Sequence, residues 1–227
     1  MVDFGVLYIV SPHHDLERLL KQSIASLPAV VPHMVRRYED IVAVRRNRTQ
    51  QVTHQPFHRT LYLDTDTRYV GPPDGLDCLK TCAIPTGVML SSWRPIRHSW
   101  MQPDVWVRLL GEERLQTCPA STYWPNTGAV LMERGPLAEK VCQDWLSRWE
   151  QLSVTHDMEP ALADLAIERG APCWDELPPS FHIPTNCQLH YCRLRSDKFR
   201  IVHAAGVSTE EKLDVLERAA RAINDRS

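Results

Sequence analysis

Seven consecutive residues, Phe4 to Val10, form an apolar run too short for a helix of ordinary length. Such a run suits a β-strand covered on both faces. After Ser11-Pro12 the apolar period changes: Leu16, Leu19, Leu20, Ile24 and Leu27 recur at three- and four-residue steps, an amphipathic helix that stops before Pro28. The same alternation continues down the chain. Strands are predicted over His33 to Arg37, Leu61 to Leu63, Gly87 to Ser91, Ala129 to Met132 and Phe199 to His203. Helices are predicted over the arginine-rich 44–53, Leu137 to Leu152, Pro160 to Glu168 and a C-terminal segment opened by Ser208 and Glu211, which have capping-box spacing. Strands separated by helices predict a layered α/β domain.

The 227 residues fit one domain, 1–227, with a small annex in the tryptophan-rich stretch around 93–125. With Lys+Arg 26 against Asp+Glu 28, the net charge of -2 gives no long-range pull toward nucleic acid or an anionic membrane. No apolar stretch approaches the roughly 18 residues of a membrane span. The N-terminus carries an acid, Asp3, instead of a basic leader, so it reads as a strand. Seven cysteines are odd in number and lack zinc-ribbon spacing, which predicts reduced thiols and a cytoplasmic protein.

The sharpest local feature is Thr60-Leu-Tyr-Leu-Asp64-Thr-Asp66. On a strand, side chains alternate with period two, so Asp64 and Asp66 are predicted to project from one face at the strand's carboxyl end. Two carboxylates repel each other unless a cation sits between them, and Mg2+ or Mn2+ with a diphosphate answers that need. An exposed turn or loose cation site is the alternative. A D-x-D-x-D-G calcium loop fails at Arg68 and Tyr69, and Arg68 also argues against a haloacid-dehalogenase phosphatase.

The order Asp64-x-Asp66, then Asn126-Thr127-Gly128, then Glu159-Pro-Ala-Leu162, then Leu177-Pro-Pro-x-Phe181, then Ile201-Val-His203 resembles nucleotide-diphospho-sugar glycosyltransferases of the GT-A fold. Within these the chain is similar to family 8 and its bacterial relatives, from Phe4 to about Gly206. The resemblance implies a transferase that moves a sugar from a nucleotide-diphospho-sugar, typically a UDP-sugar, to an acceptor: a glycan, a small molecule or a protein. It implies Asp64, Asp66 and His203 as ligands of the metal, with the imidazole favouring Mn2+ over Mg2+. Tyr8, Val10 and Ser11 match the segment that cradles the nucleoside. Asn126, Thr127 and Gly128 match the turn lining the donor sugar. Arg46 and Arg48 match basic residues that neutralise the diphosphate, although Arg45, Arg46 and Arg48 equally suit a solvated helix face.

Glu159, with Asp157 two positions earlier, is the catalytic carboxylate the resemblance implies; an acid in the first turn also simply complements the helix dipole. Trp124 is predicted to face the cleft, and Trp93, Trp100 and Trp106 suit either an acceptor platform or aromatic core. Three departures stand out. Met158 and Glu159 replace the usual Asp-Gln before Pro-Ala-Leu, His182 stands where asparagine is usual, and Gly206 to Glu211 lacks a lysine that binds the diphosphate in family 8. They open the reading of a nucleotide-sugar-binding protein that kept the fold without transfer. A sugar nucleotidyltransferase would need a glycine-rich basic loop after the first strand, and Ser11 to Asp15 has none.

Overall fold

The computed structural model describes residues 3–11, 14–49, 55–95, 110–117, 123–152, 158–181, 183–184, 200–204 and 208–224. The strands are β1 (Phe4–Val10), β2 (His33–Arg37), β3 (Arg59–Leu63), β4 (Thr67–Tyr69), β5 (Val88–Pro95), β6 (Tyr123–Glu133), β7 (Asp175–Glu176), β8 (Ile183–Pro184) and β9 (Ile201–His203). The helices are α1 (His14–Ser26), α2 (Ile41–Thr49), α3 (Asp77–Thr81), α4 (Glu112–Thr117), α5 (Pro136–Gln151), α6 (Glu159–Arg169) and α7 (Thr209–Asn224).

A six-stranded sheet runs in the order β2-β1-β3-β6-β5-β7. β1 pairs parallel with β2 and β3, and β5 with β7, while β6 runs antiparallel to both β3 and β5. A smaller sheet, β4-β9-β8, stands beside it. This is the predicted α/β class, a mixed sheet flanked by helices.

Every residue of β1 is buried, and the strand's alternation explains how. Leu7 and Ile9 join one core with Tyr62, Val130, Trp145 and Leu162. Val6, Tyr8 and Val10 join another with Leu20, Leu61, Leu79 and Ile201. Helices α2, α5 and α6 cover the first face; α1, α3 and the small sheet cover the second. Both faces being dry, an unbroken apolar run is what the central strand requires.

Trp145 buries an indole of about 200 Å², worth roughly 5 kcal/mol of apolar transfer. Its Nε1 donates to the Met158 carbonyl at 2.9 Å, so the polar atom is satisfied and α5 is fixed to the start of α6. At Gly87, φ is +78° and an added Cβ would lie 2.6 Å from the Ala138 backbone nitrogen. Only glycine tolerates both demands where the chain enters β5 under the first turn of α5. Gly170 ends α6 in the left-handed conformation, as its position after the helix pattern predicts. The capping box at Ser208 and Glu211 is formed in both directions, with Ser208 N donating to Glu211 Oε2 at 2.9 Å and Glu211 N to Ser208 Oγ at 3.4 Å. Among the described residues no helix is long and apolar enough to cross a membrane.

Candidate active site

β3 delivers Asp64 to the carboxyl end of the sheet, but the strand stops at Leu63. Asp64 to Asp66 form a turn: Thr67 donates its N–H (3.2 Å) and its hydroxyl (2.7 Å) to the Asp64 carbonyl. The prediction that both acids sit on one strand face is therefore corrected. The turn, not strand alternation, aims them, because Thr67 closes on Asp64 and the chain restarts as β4. The Asp64 N–H donates to the Gly128 carbonyl at 2.9 Å, and Asn126 Oδ1 accepts the Gly128 N–H at 2.8 Å, so the Asn126-Thr127-Gly128 turn lies against the acids. His203 arrives by sheet register. β4 and β9 pair antiparallel with Thr67 opposite His203, and Ala204 N donates to the Asp66 carbonyl at 2.9 Å.

Asp64, Asp66 and His203 each offer a ligand atom within 4.8 Å of the others. His203 Nε2 lies 3.2 Å from Asp66 Oδ1 and 3.9 Å from Asp64 Oδ2. For ligand bonds of about 2.1 Å, atoms at right angles around an ion stand about 3.0 Å apart and opposed ones about 4.2 Å. Two carboxylates and an imidazole at this spacing fit a divalent transition-metal ion.

Protein cations hold the outer sides of the acids. Arg48 and the Tyr62 hydroxyl both donate to Asp64 Oδ1, and Lys212 Nζ donates to Asp66 Oδ2 at 2.6 Å. Burial works to raise the Asp66 pKa, yet His203 and Lys212 hold the carboxyl well below the usual range. Burial likewise opposes charge on His203, and the facing Asp66 and Asp64 outweigh it, raising the imidazole pKa. Arg48 follows the same pattern: burial disfavours the cation, but Asp64, backed by Tyr62, Glu159 and Asp66, keeps its pKa raised.

The remaining predicted residues separate in space. Glu159 is the first residue of α6, and its Oε1 accepts the Thr127 hydroxyl at 2.6 Å, which joins it to the Asn126-Thr127-Gly128 turn. Arg46 points elsewhere, exposed and 3.4 Å from Glu150 on α5. Tyr8 is completely buried, and burial pushes its phenol pKa up. Its hydroxyl meets Ser23 Oγ at 2.8 Å, and Ser23 Oγ meets Thr67 Oγ1 at 3.2 Å. Since Thr67 gives its one hydroxyl proton to the Asp64 carbonyl, Ser23 donates to Thr67 and Tyr8 to Ser23. The side chain of Tyr8 thus buttresses the acid-bearing turn.

Val10 is buried, with its carbonyl accepting Tyr38 N–H at 3.0 Å. Ser11 Oγ and Arg48 Nε are buried without a hydrogen-bond partner among the described residues; buried polar groups ordinarily have one. Asp157, His182, Trp100 and Trp106, and the side chain of Trp93, lie outside the described residues.

Trp124 corrects a second prediction. It is 2% exposed and packs with Leu110, Leu115 and Ala163, because α4 folds over it and closes a small core of its own. Lys212 and Tyr62 are the site residues sequence reasoning missed. Tyr62 reads as a core strand residue, although it stands near the end of β3, only two residues before Asp64. Lys212 immediately precedes the buried Leu213, which places it at the edge of the helix's inward face.

No protein-family model matches the chain, and no curated protein does. Solved structures do match. A glycosyltransferase involved in glycosylation of the major capsid of PBCV-1 superposes with a TM-score of 0.62 at 13% identity, covering 95% of this chain and 99% of that one. Mouse xyloside xylosyltransferase 1 in its apo form gives 0.53 at 13% identity, with 90% and 98% covered. The glycosyltransferase GlyE of Streptococcus pneumoniae TIGR4, in its apo form, gives 0.57 at 10% identity, covering 100% of this chain and 64% of that one. At such identities the fold is what is shared: this chain has the GT-A-like architecture of the glycosyltransferases.

Proposed function

We propose that the chain is a metal-dependent glycosyltransferase that takes a sugar from a nucleotide-diphospho-sugar, a UDP-sugar in the first instance, and passes it to an acceptor. The observation that carries this reading is the convergence of Asp64, Asp66 and His203 at the carboxyl end of β3, where open α/β sheets bind ligands. These three would hold the ion, and their imidazole favours Mn2+ over Mg2+. A divalent ion bound there supplies stabilisation of the negative charge that grows on the departing diphosphate.

The protein's own groups do the rest. Arg48, fixed by Asp64, brings a permanent positive charge to the diphosphate side, with an Nε that has no partner among the described residues. Asn126 and Thr127 line the sugar. Glu159, with one oxygen held by Thr127, keeps its other oxygen for the acceptor hydroxyl or the reacting face of the sugar. Asp157 stands close to it in sequence as a second carboxylate. The nucleoside would lie along the end of β1 at Val10 and Ser11, with Tyr8 as support beneath it. The 93–125 region would form the acceptor side of one domain. The link to family 8 rests on motif order.

Screening UDP- and GDP-sugars for Mn2+-dependent binding and slow donor hydrolysis tests the proposal. Binding with hydrolysis supports it. Binding with no hydrolysis and no transfer favours the nucleotide-sugar-binding reading, and no binding of any donor defeats both.

A further inference from the structure

The four oxygens of the acid pair are not equivalent. Asp64 Oδ2 and Asp66 Oδ1 face His203 Nε2, at 3.9 and 3.2 Å. Asp64 Oδ1 is taken by Arg48 and Tyr62, and Asp66 Oδ2 by Lys212. The inner atoms form the place for an ion, while the outer atoms are pinned by protein donors, an arrangement that orients ligating carboxylates. It also sets the charge. One guanidinium and one ammonium already balance the two carboxylates of the site before any metal arrives. A divalent ion entering it leaves a net excess of positive charge in a place where Asp66 and His203 are almost wholly enclosed and screening by salt is weak. A diphosphate removes that excess.

Lys212 is held where it is by the helix that carries it. Leu213 and Leu216 of α7 pack with Leu19, Val202 and Ala204, and Arg18 of α1 pairs with Glu210 at 2.7 Å. The Lys212 side chain is only 21% exposed, so its charge acts on Asp66 through little water. We propose that Lys212 is a built-in counter-cation of Asp66 that keeps divalent-metal binding by the bare protein weak and makes it depend on a diphosphate. The inference rests on the reading of Asp64, Asp66 and His203 as the metal site. It makes metal and diphosphate each raise the affinity for the other, as linkage requires.

Calorimetric titration of Mn2+ into the full chain, with and without UDP, tests it on wild type, Lys212→Met and Lys212→Arg. Lys212→Met is expected to bind Mn2+ about tenfold more tightly than wild type when UDP is absent, and the tightening caused by UDP shrinks correspondingly. Lys212→Arg, which keeps the charge, stays close to wild type. Mn2+ should also raise the melting temperature of Lys212→Met more than that of wild type, a difference that a purely structural lysine does not produce. Unchanged or weaker Mn2+ binding by Lys212→Met overturns the proposal, and so does a Lys212→Met protein that stays unfolded when Mn2+ is added. Absence of saturable Mn2+ binding by every variant even with UDP has a different meaning: it removes the metal site itself, and the proposal with it.

Discussion

The guanidinium carbon of Arg48 lies 4.8 Å from the centroid of the Tyr62 ring, and both side chains donate to the same oxygen of Asp64. The ring carries the cation from below while its hydroxyl shares the cation's acceptor, so the three form one unit. Tyr62→Phe keeps the ring and loses one hydrogen bond, at an expected cost of about 1 kcal/mol. Arg48→Ala leaves a largely enclosed carboxylate without its cation and should cost about 3 kcal/mol. Because the residues share a partner, the double variant should lose less or more than the two single losses together. Urea denaturation of the four proteins checks this; strict additivity would show that the residues act independently.

Glu159 and Thr127 make a second testable pair. Under the proposed function, Glu159→Gln should lower transfer by about a hundredfold or more while leaving donor binding intact. Thr127→Val, which removes only the hydroxyl holding Glu159, should lower kcat to a smaller degree. Steady-state kinetics with an acceptor found by screening decides the matter, and unaltered turnover in Glu159→Gln removes that residue from the reaction.

Asp164 lies on the same helix as Glu159 and is 1% exposed. Arg148 of α5 donates to its Oδ2, while Arg114 of α4 sits 2.6 Å from its Oδ1 without hydrogen-bond alignment, a charge contact that is not a directed bond. The acid thereby ties α4 and α5 to α6. Asp164→Ala leaves Arg148 with Glu168 as its remaining acid and Arg114 half-exposed to water, and the loss of the charge-assisted hydrogen bond from Arg148 should destabilise by about 2 kcal/mol. Denaturation showing a loss under about 1 kcal/mol would mean the contacts are no better than surface pairs.

Glu176 is exposed at the end of β7, yet the fold raises its pKa, because partial desolvation of the carboxyl outweighs the hydrogen bond that Ser92 N–H donates to it at 2.9 Å. A raised folded pKa means a stabilising contribution that is present below the ordinary value of 4.5 and is lost as pH climbs through the folded value. Glu176→Gln does not titrate. Wild type should therefore lose stability relative to this variant between about pH 4 and about pH 7. Urea midpoints at both pH values read the difference, and parallel curves would contradict the assignment.

Legibility in the sequence followed the length of each pattern. β1, α1 and α5 have enough residues for apolar periodicity to declare itself, and β1 and β2 match their predicted ends. β4, at three residues, and β7 and β8, at two each, are too short to carry a period, and pairing with distant partners creates them. The turn at the acids is hidden for the same reason: nothing in Asp64-Thr-Asp66 announces that Thr67 folds back on Asp64. Asp64, Asp66 and His203 stood out as residue types in a familiar order. Lys212 did not, because a search for a lysine at fixed spacing after His203 overlooks one supplied by a helix docking from the side. Tyr8 and Trp124 show the opposite limit. An aromatic residue near a site in sequence goes where the neighbouring core has room, and both are enclosed.

The central claim is that the Asp64–Asp66–His203 cluster holds a divalent ion against a nucleotide diphosphate. Calorimetric titration of Mn2+ in the presence of UDP, on wild type and on a folded Asp66→Ala variant, tests it most directly. Saturable binding by wild type that disappears in Asp66→Ala is the predicted result. Equal binding by the two proteins would contradict it.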